Sequence, residues 1–352
     1  MKSRVYRVGA VLASMLFATM LAAAEENGRS VLVLTSTNDP SGNAAVIFRL
    51  DTAGTPSLPM VDMLPTGGKG GASTNAGILQ FDGERGAVAN FGSNDVTELV
   101  RDGDFISIGR TLKLATGCVK PDSVALCREH LYVVGSNCAE SHTWPGGGVD
   151  GNVVHLNDAS AAQIAAGETW AAVTLTSGSV RQLPLTRAGD LTGASLPVAL
   201  PTLANTVPLG EAFWGDILGF TPAHSPDSFA IVNAERKVFP VVGPTPPFPT
   251  NAPCWVAKGP GSVWYTGNSP GHAISIFFSD GQGGLFYKSI PLLGAPTDIT
   301  VSRDRKWLAV IYSAANEAFV GVFSIDAYGD LSPVAQSGSL GIASFNGVAF
   351  SQ

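Results

Sequence analysis

Short apolar stretches separated by polar turns recur along the chain. The clearest unit spans residues 77–100, where three strand-like segments are separated by turns at Asp82–Arg85 and Gly92–Asp95. Residues 298–325 repeat the same order of strands and turns. Alternation with period two, without helical periodicity of useful length, predicts β-strands throughout.

The repeated unit also indicates how many sheets to expect. Weaker copies open near Val124, Ile164, Gly219 and Val256, which with the two chain ends makes seven units. Residues 25–352 divided by seven give about 47 residues per unit, the length of a four-stranded propeller blade. A six-bladed ring, with the irregular fourth unit misread, is the alternative.

Three further features of the blades are expected. Blade three has a truncated outer edge at residues 151–158. Blade five follows a long connection rich in Pro and Leu, residues 194–216. Residues 67–71, Gly-Gly-Lys-Gly-Gly, form a flexible loop on the rim, because no Ser or Thr follows the lysine as a phosphate-binding loop requires.

The two chain ends complement each other. Residues 346–350 read as an innermost strand with only two residues after it, whereas residues 30–34 and 45–50 read as second and third strands. An open stack of blades would expose unpaired strand edges, and pairing the two ends removes them. We therefore predict an all-β fold, a seven-bladed β-propeller closed by pairing of the N- and C-terminal strands.

The start of the chain predicts export. Residues 1–24 carry three basic residues, an apolar stretch and Ala22–Ala24, the pattern of a cleaved signal peptide, so residues 25–352 form a single propeller domain. An uncleaved membrane anchor is the alternative, but Ser14 and Thr19 interrupt the short apolar run. We expect a secreted or periplasmic monomer with no membrane span after cleavage.

The composition agrees with an all-β fold and argues against nucleic-acid binding. Charged residues are only 14% of the chain, and 41 glycines and 23 prolines suit short strands joined by turns. Cleavage after residue 24 would leave 18 basic and 28 acidic residues, a net charge of −10. An acidic chain without basic clusters is a poor nucleic-acid binder, so the expected partner is a small-molecule ligand or a carbohydrate.

An oxidising compartment permits disulfides. If residues 124–126 and 131–133 form a hairpin that turns at Arg128 and Glu129, its register brings Cys118 close to Cys138. We predict this pair as a disulfide, with Cys127 and Cys254 as unpaired, packed thiols. Four reduced cysteines are the alternative.

Several turns resemble those of one family. Asn90–Val96, Ala252–Val256, Gly294–Asp298 and Asn346–Ala349 are similar to turns of the secreted branch of seven-bladed lactonase-like propellers. That family includes 6-phosphogluconolactonases and carboxymuconate cyclases. The resemblance implies a lactonase (a carboxylic ester hydrolase) or a cycloisomerase acting on a small lactone or a sugar or carboxylic acid. A non-catalytic extracytoplasmic binding or scaffold propeller is the alternative.

Two positions depart from the family pattern. Asn233 stands where members often carry an acidic residue, and Asn75-Ala76-Gly77 stands where they usually have Ser-Gln-Gly. Inherited catalysis therefore does not follow from the resemblance alone.

Candidate chemistry is expected on one face of the ring. Loops that enter the innermost strands and loops that join second to third strands emerge together there, around the channel where ligands commonly bind. The candidates are Lys120 entering blade three; Glu211, Trp214 and Asp216 entering blade five; Trp255 and Asp298 beginning blades six and seven; His142 and Trp144 in loop 137–150; and His272 in the equivalent loop of blade six.

Lactone hydrolysis without a metal needs a base, donors for the oxyanion and an acid for the leaving alkoxide. His142 or His272 is the candidate base. Asp216 or Glu211 would adjust the basicity of that histidine, and Lys120 would bind a substrate anion. The remaining candidates bind substrate, by ring stacking in the case of the tryptophans: Trp144, Trp214, Trp255 and Asp298.

No cofactor or metal site is predicted, with a calcium site assembled in three dimensions from scattered Asp and Glu residues as the alternative. The chain has no His-x-x-x-His, no Cys-x-x-Cys and no EF-hand pattern, so the usual ligand spacing for zinc and calcium is missing. His130 and His224 are expected on the opposite turns and His155 in an outer strand.

Overall fold

The computed structural model describes residues 30–72, 76–200, 207–223, 229–241, 252–341 and 344–352. The predicted signal peptide, His224 and Asn75 lie outside these ranges. No helix among the described residues is long and apolar enough to cross a membrane.

The described chain forms seven four-stranded antiparallel sheets, which confirms the predicted propeller. Within each blade the strands follow one another from the channel outward. Among the described residues, a single 3₁₀ turn, Phe91–Ser93, interrupts the strands. The strands of blades one to three are β1 Val31–Ser36, β2 Ala44–Leu50, β3 Met60–Pro65, β4 Leu79–Asp82, β5 Arg85–Asn90, β6 Asp95–Asp102, β7 Phe105–Lys113, β8 Pro121–Cys127, β9 His130–Gly135, β10 Cys138–Thr143 and β11 Val149–His155.

Blades four to seven continue the same arrangement, and the final strand returns to blade one. Their strands are β12 Ala161–Ala166, β13 Trp170–Leu175, β14 Ser179–Pro184, β15 Leu196–Val198, β16 Val207–Trp214, β17 Ile217–Ala223, β18 Phe229–Val232, β19 Val238–Val241, β20 Pro253–Lys258, β21 Val263–Asn268, β22 Ala273–Phe278, β23 Leu285–Pro291, β24 Ala295–Val301, β25 Trp307–Ala314, β26 Glu317–Ile325, β27 Leu331–Gln336 and β28 Asn346–Ser351.

Pairing of the two chain ends closes the ring as predicted. Strand β28 is the innermost strand of blade one and pairs antiparallel with β1, with Val33 opposite Phe350. The Thr35 hydroxyl adds a buried hydrogen bond of 2.7 Å to the Gly347 carbonyl. Every residue of β28 is buried, so the closing strand is part of the core rather than a tail.

The alternation of strands defines two faces. Connections from the outer strand of one blade to the inner strand of the next, and from second to third strands, lie on the upper face. The other turns lie on the lower face. This assignment decides which candidate side chains share a surface.

The predicted hairpin and disulfide of blade three are confirmed. Strand β8 turns at Arg128 and Glu129 into β9, and both turn residues have positive φ. Cys118 and Cys138 are bonded, with their Cα atoms 5.6 Å apart. The other two cysteines of the predicted set, Cys127 and Cys254, are free thiols.

Two predicted segment boundaries are wrong. Residues 207–214 are the inner strand of blade five and not part of a connection, because Pro208 and Gly210 hide the strand pattern. In blade three the turn from second to third strand is only two residues long, and the polar sequence 138–143 is the third strand. The outer strand of that blade, Val149–His155, is complete rather than truncated.

The glycine-rich loop lies on the rim as predicted, but it is hydrogen-bonded rather than flexible. Gly70 and Gly71 donate to the carbonyls of Asp39 and Asn38 at 2.8 and 2.9 Å. A Cβ on Gly70 would stand 2.2 Å from the Asn38 carbonyl carbon. Glycine is needed at position 70 because the loop packs directly on blade one.

Candidate functional site

The candidate residues are divided between the two faces and the interior. On the upper face lie Lys120, His272, Trp255 and the start of the strand that carries Asp298, as predicted. Lys120 is exposed, and its ammonium lies 5.6 Å from the centre of the Phe91 ring.

Two blade-five candidates lie on the wrong face for the predicted site. Asp216 is in the lower turn between β16 and β17, and Trp214 ends β16 there. Both placements follow from the misread inner strand. Asp216 accepts a 2.8 Å hydrogen bond from the Thr169 amide, so its carboxylate caps a turn of blade four.

His142 and Trp144 also differ from the prediction. His142 is buried within β10, where its Nε2 lies 2.9 Å from Glu140 Oε1. The other oxygen of Glu140 accepts a hydrogen bond from the Ala115 amide at 2.9 Å. Trp144 is buried at the lower end of β10 and packs against blades two and three. Neither side chain is on a mobile loop over the channel, because residues 138–143 form a strand.

An upper pocket of about 390 Å³ lies between blades one, six and seven. Trp255, Ser269, Thr297 and Asn346 contribute to its lining, together with Asn38 from blade one. The Trp255 indole is fixed because its Nε1–H donates to the Pro296 carbonyl at 2.7 Å. The pocket therefore has an immobilised aromatic wall and several neutral hydrogen-bonding groups.

His272 belongs to the turn that carries Ser269. The His272 amide donates to the Ser269 carbonyl at 3.3 Å, and the imidazole is exposed. Of the two histidines predicted as bases, His272 is the one on the upper face, in the turn that follows the pocket residue Ser269.

Below the pocket, the inner strands enclose a channel chamber of about 250 Å³. Its polar lining residues include Gln80, Gln163, Glu211, Lys258 and Asp298. Strands β4, β12, β16, β20 and β24 each contribute one of them, so the chamber depends on the ring being closed.

Asp298 connects three parts of the ring. Its carboxylate accepts hydrogen bonds from the amides of Gly77 at 3.2 Å, Ile299 at 2.8 Å and Val348 at 3.3 Å. These amides belong to the entry of blade two, to blade seven and to the closing strand. Burial raises the pKa of Asp298 to about 7, and the three amides partly oppose this. The carboxyl group holds the closure together at the top of the chamber.

Glu211 is a buried acid in the inner strand of blade five. Neither of its carboxyl oxygens has a hydrogen-bond partner within the described part of the chain. Burial raises its pKa well above the ordinary value, while the nearby amides of Ala165 and Thr174 act in the opposite direction. Burial without a partner penalises the charged carboxylate, which is why the pKa of Glu211 is raised.

Lys258 is a chamber residue that the sequence reasoning missed. Its ammonium donates to the carbonyls of Gly259, Gly261 and Val263 at 2.8, 2.6 and 3.1 Å. It also lies 4.8 Å from the centre of the Trp214 ring, so this tryptophan already has a cation against its face. A single lysine at the end of a strand carries no pattern that would have revealed this contact.

Comparisons of sequence and of structure give different results. No family model and no curated protein matches the chain in sequence. In structure, the periplasmic gluconolactonase of Pseudomonas aeruginosa aligns with a TM-score of 0.64 and 15% identity, over 92% of this chain and 99% of that one. A proposed 6-phosphogluconolactonase of Bacteroides fragilis aligns with a TM-score of 0.67 and 14% identity, over 93% and 99%.

A virginiamycin B lyase of Staphylococcus aureus is also similar, with a TM-score of 0.57 and 13% identity over 81% of this chain and 92% of that one. Identities this low establish architecture and not activity. The protein has the lactonase-like fold of the 6-phosphogluconolactonase-like seven-bladed propellers.

Proposed function

We propose that this protein binds a small lactone, or a sugar or carboxylic acid related to it, in the upper pocket and hydrolyses or isomerises it. The observation that carries the proposal is the pocket itself, which combines a fixed indole wall with hydroxyl and amide groups. Its lining residue Ser269 shares a turn with the exposed His272. Its volume of about 390 Å³ suits a small monocyclic ligand.

Each part of the pocket has a role in this proposal. His272 activates water or abstracts a proton, since an imidazole can exchange a proton near neutral pH. Ser269 and Thr297 donate hydrogen bonds to the oxygen on which negative charge develops. Trp255 presents an apolar surface to the ligand ring. Asp298 is assigned to ring closure, because backbone amides occupy its carboxylate.

The charge of the pocket narrows the substrate class. Its described lining contains no arginine and no lysine, although phosphate groups favour bidentate guanidinium contacts. The proposed substrate is therefore an unphosphorylated lactone or acid. Such a substrate fits an exported protein, and the Cys118–Cys138 disulfide supports an oxidising compartment.

Turnover of a lactone panel by the purified mature protein tests the proposal. Acid release in a pH-stat, corrected for spontaneous hydrolysis, should be saturable with D-glucono-1,5-lactone or a related lactone. His272→Gln should lower kcat/KM at least tenfold. His155→Gln is the matched control, because His155 is an exposed histidine in the outer strand of blade three. Equal activity of the two variants would refute the role of His272.

A non-catalytic binding function is the second candidate. One observation favours it: within the described ranges, no carboxylate is hydrogen-bonded to the His272 imidazole, so the base has no orienting partner. If calorimetry detects saturable binding of a lactone or sugar acid that Trp255→Phe weakens, while the whole panel shows no turnover, binding is the function and catalysis is excluded.

A further inference from the structure

Three potential metal ligands from two blades meet on the lower face. His130 begins β9, Asp150 lies in β11, and Asp190 lies in the loop between β14 and β15. His130 Nε2 is 3.2 Å from Asp190 Oδ1 and 3.7 Å from Asp150 Oδ2. One ligand atom of each residue lies within 4.8 Å of the other two. We call these residues the lower triad.

The backbone fixes which imidazole nitrogen faces the carboxylates. His130 Nδ1 lies 3.0 Å from the Arg128 carbonyl oxygen, which can only accept a hydrogen bond. Nδ1 therefore carries the proton and donates, and in the neutral ring Nε2 presents its lone pair to Asp150 and Asp190. Metal-binding histidines are commonly oriented by such a second contact.

The triad is incompletely satisfied without a further positive group. His130 is only 8% exposed, and Asp150 Oδ1 is buried with no hydrogen-bond partner in the described chain. A lone pair and two carboxylates facing one another repel, unless a proton or a cation lies between them. The other oxygens are already oriented, because Thr143 donates to Asp150 Oδ2 at 2.5 Å and Thr186 to Asp190 Oδ2 at 3.2 Å.

Contacts between blades three and four hold the triad in place. The Leu191 amide donates to the Ser141 hydroxyl at 3.2 Å, and the Asn152 amide donates to the Leu191 carbonyl at 3.0 Å. Gly189 has a φ of +113°, and a Cβ there would lie 2.8 Å from His130 Nδ1. Its carbonyl accepts a 2.7 Å hydrogen bond from the Tyr132 hydroxyl. The loop that carries Asp190 is thus fixed against the ring of His130.

We propose that the lower triad binds one divalent transition-metal ion, with Zn²⁺ and Mn²⁺ as the best candidates. One imidazole nitrogen and two carboxylate oxygens form a mixed donor set that these ions accept, whereas Ca²⁺ and Mg²⁺ prefer oxygen ligands alone. Water would complete the coordination. The ion would link blades three and four on the face opposite the upper pocket, so this site is independent of lactone chemistry.

Direct metal titration tests the proposal. The mature protein is treated with chelator, desalted and titrated separately with ZnCl₂ and MnCl₂ by calorimetry, and retained metal is counted by mass spectrometry after gel filtration. We expect one equivalent per chain for at least one of the two ions. Asp190→Asn and His130→Gln should each weaken binding at least tenfold.

Two controls separate the triad from unspecific binding. Asp280→Asn changes an exposed loop aspartate that accepts a hydrogen bond from the Gln282 amide at 2.9 Å. His155→Gln changes an exposed histidine in the same strand as Asp150. Both should bind metal like the parent. Circular dichroism of the chelated variants, with Co²⁺ absorption as a second readout of coordination, shows whether a loss of binding reflects unfolding.

The proposal is overturned if neither ion binds saturably, or if Asp190→Asn and Asp280→Asn bind equally. In the first case, a protonated His130 bridges the two aspartates instead. Loss of metal with unchanged activity at the upper pocket would support the metal site and leave the proposed lactone function to its own test.

Discussion

Replacing Phe350 by alanine tests whether the closing strand contributes core stability. Phe350 lies in β28 opposite Val33, is 7% exposed, and belongs to the apolar cluster of blades one and seven that includes Phe48. Phe105 offers a matched control, because it begins the outer strand β7 and is 78% exposed. The difference in unfolding free energy between the two Phe→Ala variants therefore measures the contribution of burying the ring.

The expected magnitude follows from the surroundings of each ring. Truncating a buried Phe to Ala typically costs about 3–5 kcal/mol through lost burial and the cavity left behind. Phe350 also borders the lower mouth of the channel, where water can fill part of the space, so we expect about 3 kcal/mol. Phe105→Ala should change the free energy of unfolding by no more than about 0.5 kcal/mol.

Urea unfolding of residues 25–352 with the disulfide intact measures both values. The transition midpoint should fall strongly for Phe350→Ala and hardly at all for Phe105→Ala, with unchanged slopes. Two variants that differ by less than about 1 kcal/mol would show that β28 is dispensable, and the reasoning about closure would be refuted.

Three further outcomes are expected. Burial raises the pKa of Asp298, and of the buried Asp122 in β8, to about 7. The folded state therefore holds protons that the unfolded state releases, and the free energy of unfolding should fall between pH 5 and pH 7 by up to about 1.4 kcal/mol per pH unit for each group. A pH series of urea melts that shows rising stability over that interval would contradict this. Burial also raises the pKa of Glu211, so the folded state keeps a proton on it that the unfolded state releases. The stability of Glu211→Gln relative to the parent should therefore increase as the pH rises above the ordinary pKa of a glutamate, and a constant difference would contradict this. Gly70→Ala should lower the melting temperature because its Cβ would overlap Asn38. Gly148→Ala is the control and should leave the melting temperature unchanged, because no atom lies within 4 Å of the added Cβ. Equal melting temperatures of the two variants would refute the packing argument.

The sequence predicted the architecture because strand alternation and turn residues are local signals. Residues 346–350 and 30–34 were recognisable as two parts of one blade, and β28 pairs with β1 as expected. The Cys118–Cys138 disulfide followed from the register of a short hairpin. The disulfide needed only one hairpin, and the pairing of the chain ends needed the repeated order of strands within a blade.

The predicted site was less accurate because one misplaced strand moves its loops to the other face. The inner strand of blade five, Val207–Trp214, contains Pro208 and Gly210 and lacks clear alternation, so Trp214 and Asp216 were assigned to the wrong face. The polar strand Cys138–Thr143 resembled a loop, so His142 was expected over the channel.

The lower triad could not be found from spacing at all. Its members are 20 and 40 residues apart in sequence, and they meet only because the loop after β14 folds onto blade three. Metal motifs read along a sequence detect ligands that share a turn or a hairpin, and this cluster has no such spacing.

The indole N–H resonances of residues 25–352 provide the most direct test of where the ligand binds. The chain has six tryptophans, and Trp255 lies in the upper pocket whereas Trp214 and Trp144 lie toward the lower face. Each signal can be assigned with a Trp→Phe variant in ¹⁵N-labelled protein. Titration with gluconate, the stable product of gluconolactone hydrolysis, should shift the Trp255 signal saturably and leave those of Trp214 and Trp144 unchanged. Shifts confined to Trp214 or Trp144, or no saturable shift with any acid or lactone of the panel, would contradict the upper pocket as the functional site.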